Sequence, residues 1–262
     1  MGALGENPRW GEAFPWLVRT GQDWKLRRLL EETETIHRSS AARLRALGQD
    51  DQARRAERFA AWVRLDLDEP EAARRLYAAS RDLREVARPG LLFGKILEGA
   101  LTLAGADRGN VQVLDRATGS LRIVAQAGFG AEFLEYFAVV DDTRSACGRA
   151  ARERIQTVVV DVDIDEWFAP HRDIAAAAAF RAVQSTPLIE RGGRLLGVVS
   201  THYPRPYSPS ARDREIIRRY GELAGQVMAD YLRNGDGETL GPAVAPSPLL
   251  GAADRRPPAP TA

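Results

Sequence analysis

The chain is poor in the residues that carry most metal and redox chemistry. Among its 262 residues there is one cysteine, Cys147, and there are three histidines, His37, His171 and His202. A single thiol closes no disulfide within the chain and cannot found a cysteine-based zinc cluster. Three scattered histidines leave little for metal binding or acid–base catalysis. Lysine is nearly absent too: Lys25 and Lys95 are the two, and every other basic residue is arginine. Neither sign of charge is in excess, with 37 basic against 36 acidic residues and a formal net charge of +1. That balance argues against a nucleic-acid coat, which needs a marked basic surplus, though it leaves room for a local patch. No apolar run approaches the roughly 20 residues of a spanning helix. Met1 to Trp10 shows neither the basic start nor the apolar stretch of a secretory signal. The expectation is a soluble cytoplasmic protein without membrane contact, and a lone thiol fits a reducing compartment.

What is present is ordinary globular composition, 44% hydrophobic and 28% charged, organised in three unequal parts. Residues 1–88 are expected to be a helical region. Its first twenty residues carry Trp10, Phe14 and Trp16 without a period. Then Trp24, Leu26, Leu29, Leu30, Thr33, Ile36, His37 and Leu44 recur at threes and fours up to Gly48, a natural helix stop. A second helix is expected from Asp51 to Leu65, with Ala53, Ala56, Phe59, Ala60 and Val63 on one face. Pro70 opens a third, with Ala73, Leu76, Tyr77, Ser80 and Leu83 inward. Charges of both signs are mixed along this region, as on solvated helix faces.

Pro89–Gly90 breaks that pattern and begins a second part, 89–232. Leu91–Ala104 reads as a helix. Strand-like runs follow at Asn110–Asp115, Leu121–Ala125, Thr157–Val160, Phe180–Pro187 and Leu195–His202. Asp115–Gly119 and Gly192–Gly193 are hairpin signals. Short helical stretches, Ala131–Phe137 and Gly148–Glu153, lie between the second and third strands. Ser210–Leu232 is a long amphipathic helix with Ile216, Ile217, Tyr220, Leu223, Ala224, Val227, Met228 and Tyr231 on one face. Residues 233–262 are rich in proline and glycine, the composition of a disordered tail. The order of elements gives an α+β fold: an antiparallel sheet with helices on one side and a concave pocket on the other.

Several stretches, in order and at their spacing, resemble a bacterial GAF domain. They are Ala106–Asp115, Leu121–Phe129, Ser145–Ala150, Val183–Ile189 and Arg194–His202. The resemblance covers somewhat over half the chain and leaves the N-terminal helices unassigned. It implies a GAF-like antiparallel sheet flanked by helices, serving as a small-molecule sensor or protein-interaction module. Members of the family bind cyclic nucleotides, bilins, haem or other small ligands, and many form dimers through terminal helices. Fold likeness does not choose among these ligands, so no cofactor is assigned. Some relatives reduce free methionine sulfoxide through several cysteines. With one cysteine, that cycle would require an external resolving thiol.

The candidate ligand-pocket residues are Phe129, Cys147, Trp167, Gln184, Ser185, Thr186 and His202. Cys147 stands just before an expected helix start at Gly148, where amides and dipole favour thiolate. The alternative is a small buried residue packed behind that helix. His202 ends a strand and either meets a ligand or is fixed by a backbone carbonyl. Gln184, Ser185 and Thr186 are polar on a central strand, so each needs a partner if buried. Alternation sends Gln184 and Thr186 to one face and Ser185 to the other. No metal site is expected: the acidic residues around His171, Asp161 to Glu166, lack EF-hand spacing.

These features favour a non-enzymatic sensory or signalling protein that binds a small ligand or a partner protein. The alternative is a transcription regulator whose N-terminal helices contact DNA. No basic recognition helix is evident, which argues against nucleic acid. A homodimer through the helices Leu91–Ala104 and Ser210–Leu232 is expected, and a signalling-protein partner for the N-terminal helices is a further possibility. No nucleophile–base motif points to an enzyme.

Overall fold

The computed structural model describes residues 23–68, 70–84, 86 and 91–234. The aromatic residues of the first twenty positions, the Pro89–Gly90 break and the proline-rich stretch from 235 lie outside the described residues. The chain divides into two compact units after Tyr77.

In the first unit, α1 (Asp23–Ala46) and α2 (Asp50–Asp68) form a helical hairpin. Gly48 turns the chain at φ +72°, a left-handed conformation that glycine takes without a Cβ penalty. Gln49 N–H then reaches back to the Leu44 carbonyl at 2.9 Å. The inward stripe of α1 is Leu30, Glu34, His37, Ala41 and Leu44, all buried or half-buried. Leu29 and Ile36 are exposed, contrary to the apolar spacing read from the sequence. At 3.6 residues per turn they sit off the stripe that holds His37 and Ala41. The ring of His37 meets that of Phe59 at 4.3 Å, tilted by 48°. α2 contributes Ala53, Ala60, Val63 and Leu67 to the buried side. α3 (Pro70–Arg84) starts at its proline and buries Ala72, Ala73 and Leu76, then Ser80 and Leu83 beyond the division.

The second unit is built on six antiparallel strands in the order β3-β2-β1-β6-β5-β4. They are β1 (Arg108–Leu114), β2 (Leu121–Ala127), β3 (Val139–Val140), β4 (Thr157–Val159), β5 (Ala182–Ile189) and β6 (Leu195–Tyr203). One face of the sheet is covered by α4 (Leu92–Ala104) and α8 (Ala211–Asn234). Arg233 and Asn234 therefore close a helix and do not begin the tail. α4 buries Leu92, Phe93, Ile96, Leu97, Ala100 and Leu101, and ends in a left-handed Gly105 whose N–H bonds the Leu101 carbonyl. α8 is capped by Ser210, which accepts the Asp213 N–H at 3.1 Å and donates to the Asp213 carboxylate at 2.7 Å. α8 lies so close to β5 that a Cβ on Gly225 would run into the Ile189 backbone. Tyr220, fully buried, donates toward the carbonyls of Lys95 (3.2 Å) and Ile96 (3.1 Å) and so ties α8 to α4.

The opposite face is roofed as well. α5 (Ala131–Tyr136), α6 (Ala146–Glu153), a short 3-10 turn (Ala169–His171) and α7 (Arg172–Ala177) cross it. Helices thus flank both faces, and the side expected to hold the concave pocket is covered by short elements. The 3-10 turn and α7, and the edge strand β3, fall where the sequence pattern marks no element. α6 begins at Ala146, two residues earlier than expected. No helix among the described residues is long and apolar enough to cross a membrane.

Candidate functional site

Strand alternation decides what the roofed face contains. Asn110 on β1 lies opposite Ser200 on β6, and Ser200 lies opposite Ser185 on β5. Directly paired residues of antiparallel strands share a face. The row continues outward to Gln126 on β2 and Thr157 on β4. Five strands therefore present a polar residue at the same level. Two residues along, on the same face, stand Gln112 on β1 and His202 on β6. Asn110, Gln112, Ser185, Ser200 and His202 are all buried.

This polar floor faces a cavity. Its walls are largely aromatic, from Phe133, Phe137, Phe168 and Phe180, with Ser145 and Cys147 at the start of α6. The space open to the centre of a water-sized sphere is ≈ 20 Å³, and one water needs on the order of 10–15 Å³ by that measure. By that measure the space between floor and walls has room for about one water molecule.

The hydrogen-bond inventory of the floor is incomplete. Ser185 and Ser200 pair hydroxyl to hydroxyl at 2.8 Å. Asn110 Oδ1, Gln112 Oε1 and His202 Nδ1 are buried without a partner. Unpaired buried polar atoms are few in native proteins, because each costs its desolvation without return. The three residues that carry them all line this one cavity.

Burial sets the charge state of the titratable walls. His202 lies edge-on to Phe129 at 4.8 Å and to Phe180 at 4.7 Å. Its pKa is pushed down to about 3, first by burial and then by the charge of Arg108, so the ring is neutral at pH 7. Arg108 spends its guanidinium on the Ala178 and Ala179 carbonyls. Burial pushes the Cys147 thiol up, opposite to the activated thiolate that a helix start suggested. The thiol is within 3.5 Å of Ser145 Oγ, and that oxygen caps α6 by accepting the Gly148 N–H at 3.2 Å.

The roof is fastened by polar contacts. Arg144 donates to the Trp167 carbonyl at 3.3 Å, and Arg172 to the Val162 and Asp165 carbonyls, each at 3.1 Å. Arg149 pairs with Asp165 at 3.4 Å, and Arg181 with Asp161 at 2.8 Å. Asp142 accepts the Arg144 and Ser145 amides, each at 2.6 Å. Its Oδ1 is 3.5 Å from His171 Nε2, while His171 Nδ1 is 3.0 Å from the Tyr136 hydroxyl. Burial alone would raise the Asp142 carboxyl, but His171 and the two amides outweigh it and hold it well below the usual carboxylate range.

Of the residues singled out in the sequence, Cys147, Ser185 and His202 line the cavity together. Phe129 packs just behind, stacked on Phe133 at 3.7 Å. Trp167 does not reach it: the side chain is 60% exposed, and only its carbonyl joins the roof. Gln184 and Thr186 lie on the other face, as alternation requires once Ser185 faces the cavity. There Thr186 meets the Gln156 amide at 3.1 Å, near Gly221 of α8. Sequence reasoning passed over Asn110 and Gln112. Their signal was present, two amides at alternate positions among Val111, Val113 and Leu114. Among the described residues no cluster of three His, Cys, Asp or Glu is placed to hold a metal.

Comparison with known proteins bears on this arrangement. The family model described as GAF domain matches residues 89–229. Among solved structures, the GAF domain of a phosphoenolpyruvate-protein phosphotransferase from Coxiella burnetii is similar at 12% identity and a TM-score of 0.54, over 63% of this chain and 98% of that one. The corresponding domain from Acinetobacter is similar at 11% identity and 0.51, over 63% and 96%. Free methionine-R-sulfoxide reductase from Neisseria meningitidis, in complex with its substrate, is similar at 16% identity and 0.51, over 62% and 90%. At such identities the likeness is one of fold. No curated protein matches the chain.

Proposed function

The chain belongs to the GAF domain family, and from that premise we propose that it is a non-enzymatic sensory or signalling protein. Its cavity takes a small ligand, and occupancy alters how the roof and the flanking helices meet a partner. The observation that carries this reading is the set of three buried, unpartnered polar atoms on one wall of one cavity. The facing wall is largely phenylalanine and offers those atoms no hydrogen-bond partner.

Catalysis is not favoured by the same residues. The Cys147 thiol is protonated and paired with a serine, and His202 is a neutral ring against aromatic edges. Neither stands in a nucleophile–base arrangement. The first helices give DNA contact little support, because Arg27, Arg28 and Arg38 each pair with a glutamate one turn away.

The test is native mass spectrometry and absorbance of the full chain purified from its own host cells. We expect a small molecule that leaves on denaturation and that stabilises the emptied protein when returned. A chain that carries nothing, and that gains no stability from host metabolite extracts, overturns ligand binding and leaves protein interaction as the role.

Self-association through α4 and α8 belongs to this proposal in a narrower form. Their main apolar faces are buried against the sheet of their own chain. The stripe left half-buried on α8 is Leu223, Val227 and Tyr231. Light scattering at tens of micromolar should give twice the chain mass, and a monomer mass refutes it.

A further inference from the structure

The unmade bonds on the cavity floor also specify what would fill them. Asn110 is 3%, Gln112 1% and His202 5% exposed, and each has a buried atom without a partner. Amide oxygens accept and never donate. The two amides are two residues apart on one strand, about 7 Å by strand geometry. The Ser185–Ser200 pair uses one hydroxyl hydrogen internally and keeps one to give. The floor therefore calls for two donors and returns at least one.

Charge narrows the choice further. The cavity is lined by amides, serines, apolar side chains, one thiol and one imidazole, with no carboxylate, arginine or lysine. Charged groups of the sheet and roof have partners of their own: Arg108 two carbonyls, Asp142 two backbone amides, and Arg149 the Asp165 carboxylate through its terminal nitrogens, with its Nε left buried and unpartnered. An anion would be desolvated against two amide oxygens that repel it. A cation would find those oxygens but no counter-charge among the lining residues. A neutral group pays neither cost.

We infer that the floor binds an uncharged group with at least two N–H or O–H donors and one acceptor, a primary amide or a urea, whose apolar remainder lies against the phenylalanine wall. This rests on the reading that the cavity binds a ligand. The phosphates and carboxylates of nucleotides and tetrapyrroles would have to stay outside the floor.

The experiment is a titration of the isotope-labelled full chain at pH 7 with a matched series: propionamide, methylurea, propionate and propylammonium. The readout is the side-chain amide signals of Asn110 and Gln112 and the ring signals of His202. We expect propionamide and methylurea to shift these signals saturably, on the order of tenfold more tightly than either ion. A Gln112→Leu variant, checked for an unchanged fold by its amide spectrum, should lose a similar factor for propionamide. The charge series on the unaltered protein stands whether or not that variant folds. If propionate or propylammonium binds as well as propionamide, the neutral-ligand inference is wrong while ligand binding survives. If none of the four moves these signals, the floor holds water only, and both readings fall.

Discussion

Acid should destabilise this protein through one ring. His202 has its pKa lowered from 6.5 to about 3 in the folded chain, because a charged imidazole would be buried among phenylalanine edges and near Arg108. In the unfolded chain the ring regains its ordinary value. Between those two values the unfolded state binds the proton and the folded state does not, so stability falls as pH falls. The contribution is complete above the unfolded value. It begins to be lost below about 6.5 and goes on falling until about 3. From about pH 7.5 to about pH 5 the loss is about 2 kcal/mol for this one group, following the logarithm of the extra protonated unfolded population. The Asp142 carboxyl does not interfere. Its folded value lies below the ordinary 3.8, so its contribution is lost only at more acidic pH. The assay is urea unfolding at the two pH values, for the natural chain and for His202→Phe, which keeps an aromatic ring among Phe129, Phe133 and Phe180. The natural chain should lose about 2 kcal/mol more than the variant over this interval. Equal losses would refute the reasoning, since His202 would then titrate alike in both states.

Three further outcomes are expected. The Cys147 thiol should resist a thiol reagent at pH 7 until the chain unfolds, because it is buried and its pKa is raised; prompt labelling of the folded protein would contradict this. Tyr220→Phe removes a buried hydroxyl from the Lys95 and Ile96 carbonyls and should cost about 0.5–1.5 kcal/mol in a denaturant titration. An unchanged midpoint would show that those carbonyls need no partner. Gly225→Ala drives a methyl into the Ile189 backbone and should cost about 1–3 kcal/mol, visible as a lowered melting temperature. A neutral result would mean that α8 shifts away from β5 without penalty.

The legible parts of the sequence were those with a strong internal period. Ile216, Ile217, Tyr220, Ala224 and Met228 fixed the inward face of α8, and the hairpin signals located β1–β2 and β5–β6. Elements without contrast escaped. α7 lies in an alanine-rich run that has no apolar stripe to read, and β3 is two residues long. The candidate site shows the same limit at finer scale. Alternation correctly split Ser185 from Gln184 and Thr186. Which of the two faces would hold the cavity is not written in β5, because it depends on where β1 and β6 pair with it. Once Asn110 and Ser200 stand opposite each other and beside Ser185, the cavity face is decided. Trp167 misled for a related reason: a large aromatic in a loop is equally compatible with lining a pocket and with standing outside it. Cys147 turned on two residues of helix length. Starting α6 at Ala146 places the thiol within its first turn, facing Ser145 and the core.

The fastening of the roof has a consequence for how this protein changes over generations. Arg144 grips the carbonyls of Trp167 and Glu166, Arg172 those of Val162 and Asp165, and Arg108 those of Ala178 and Ala179. Every residue type offers the same carbonyl. Within the stretch from Val162 to Ala179, Phe168 in the cavity wall can therefore change its side chain without losing those carbonyl bonds, whereas Arg172, Asp165 and His171 hold the roof by their side chains. The phenylalanine in the cavity wall and the carbonyls that fasten the roof are thus different atoms of one segment, and the first can alter while the second stays constant.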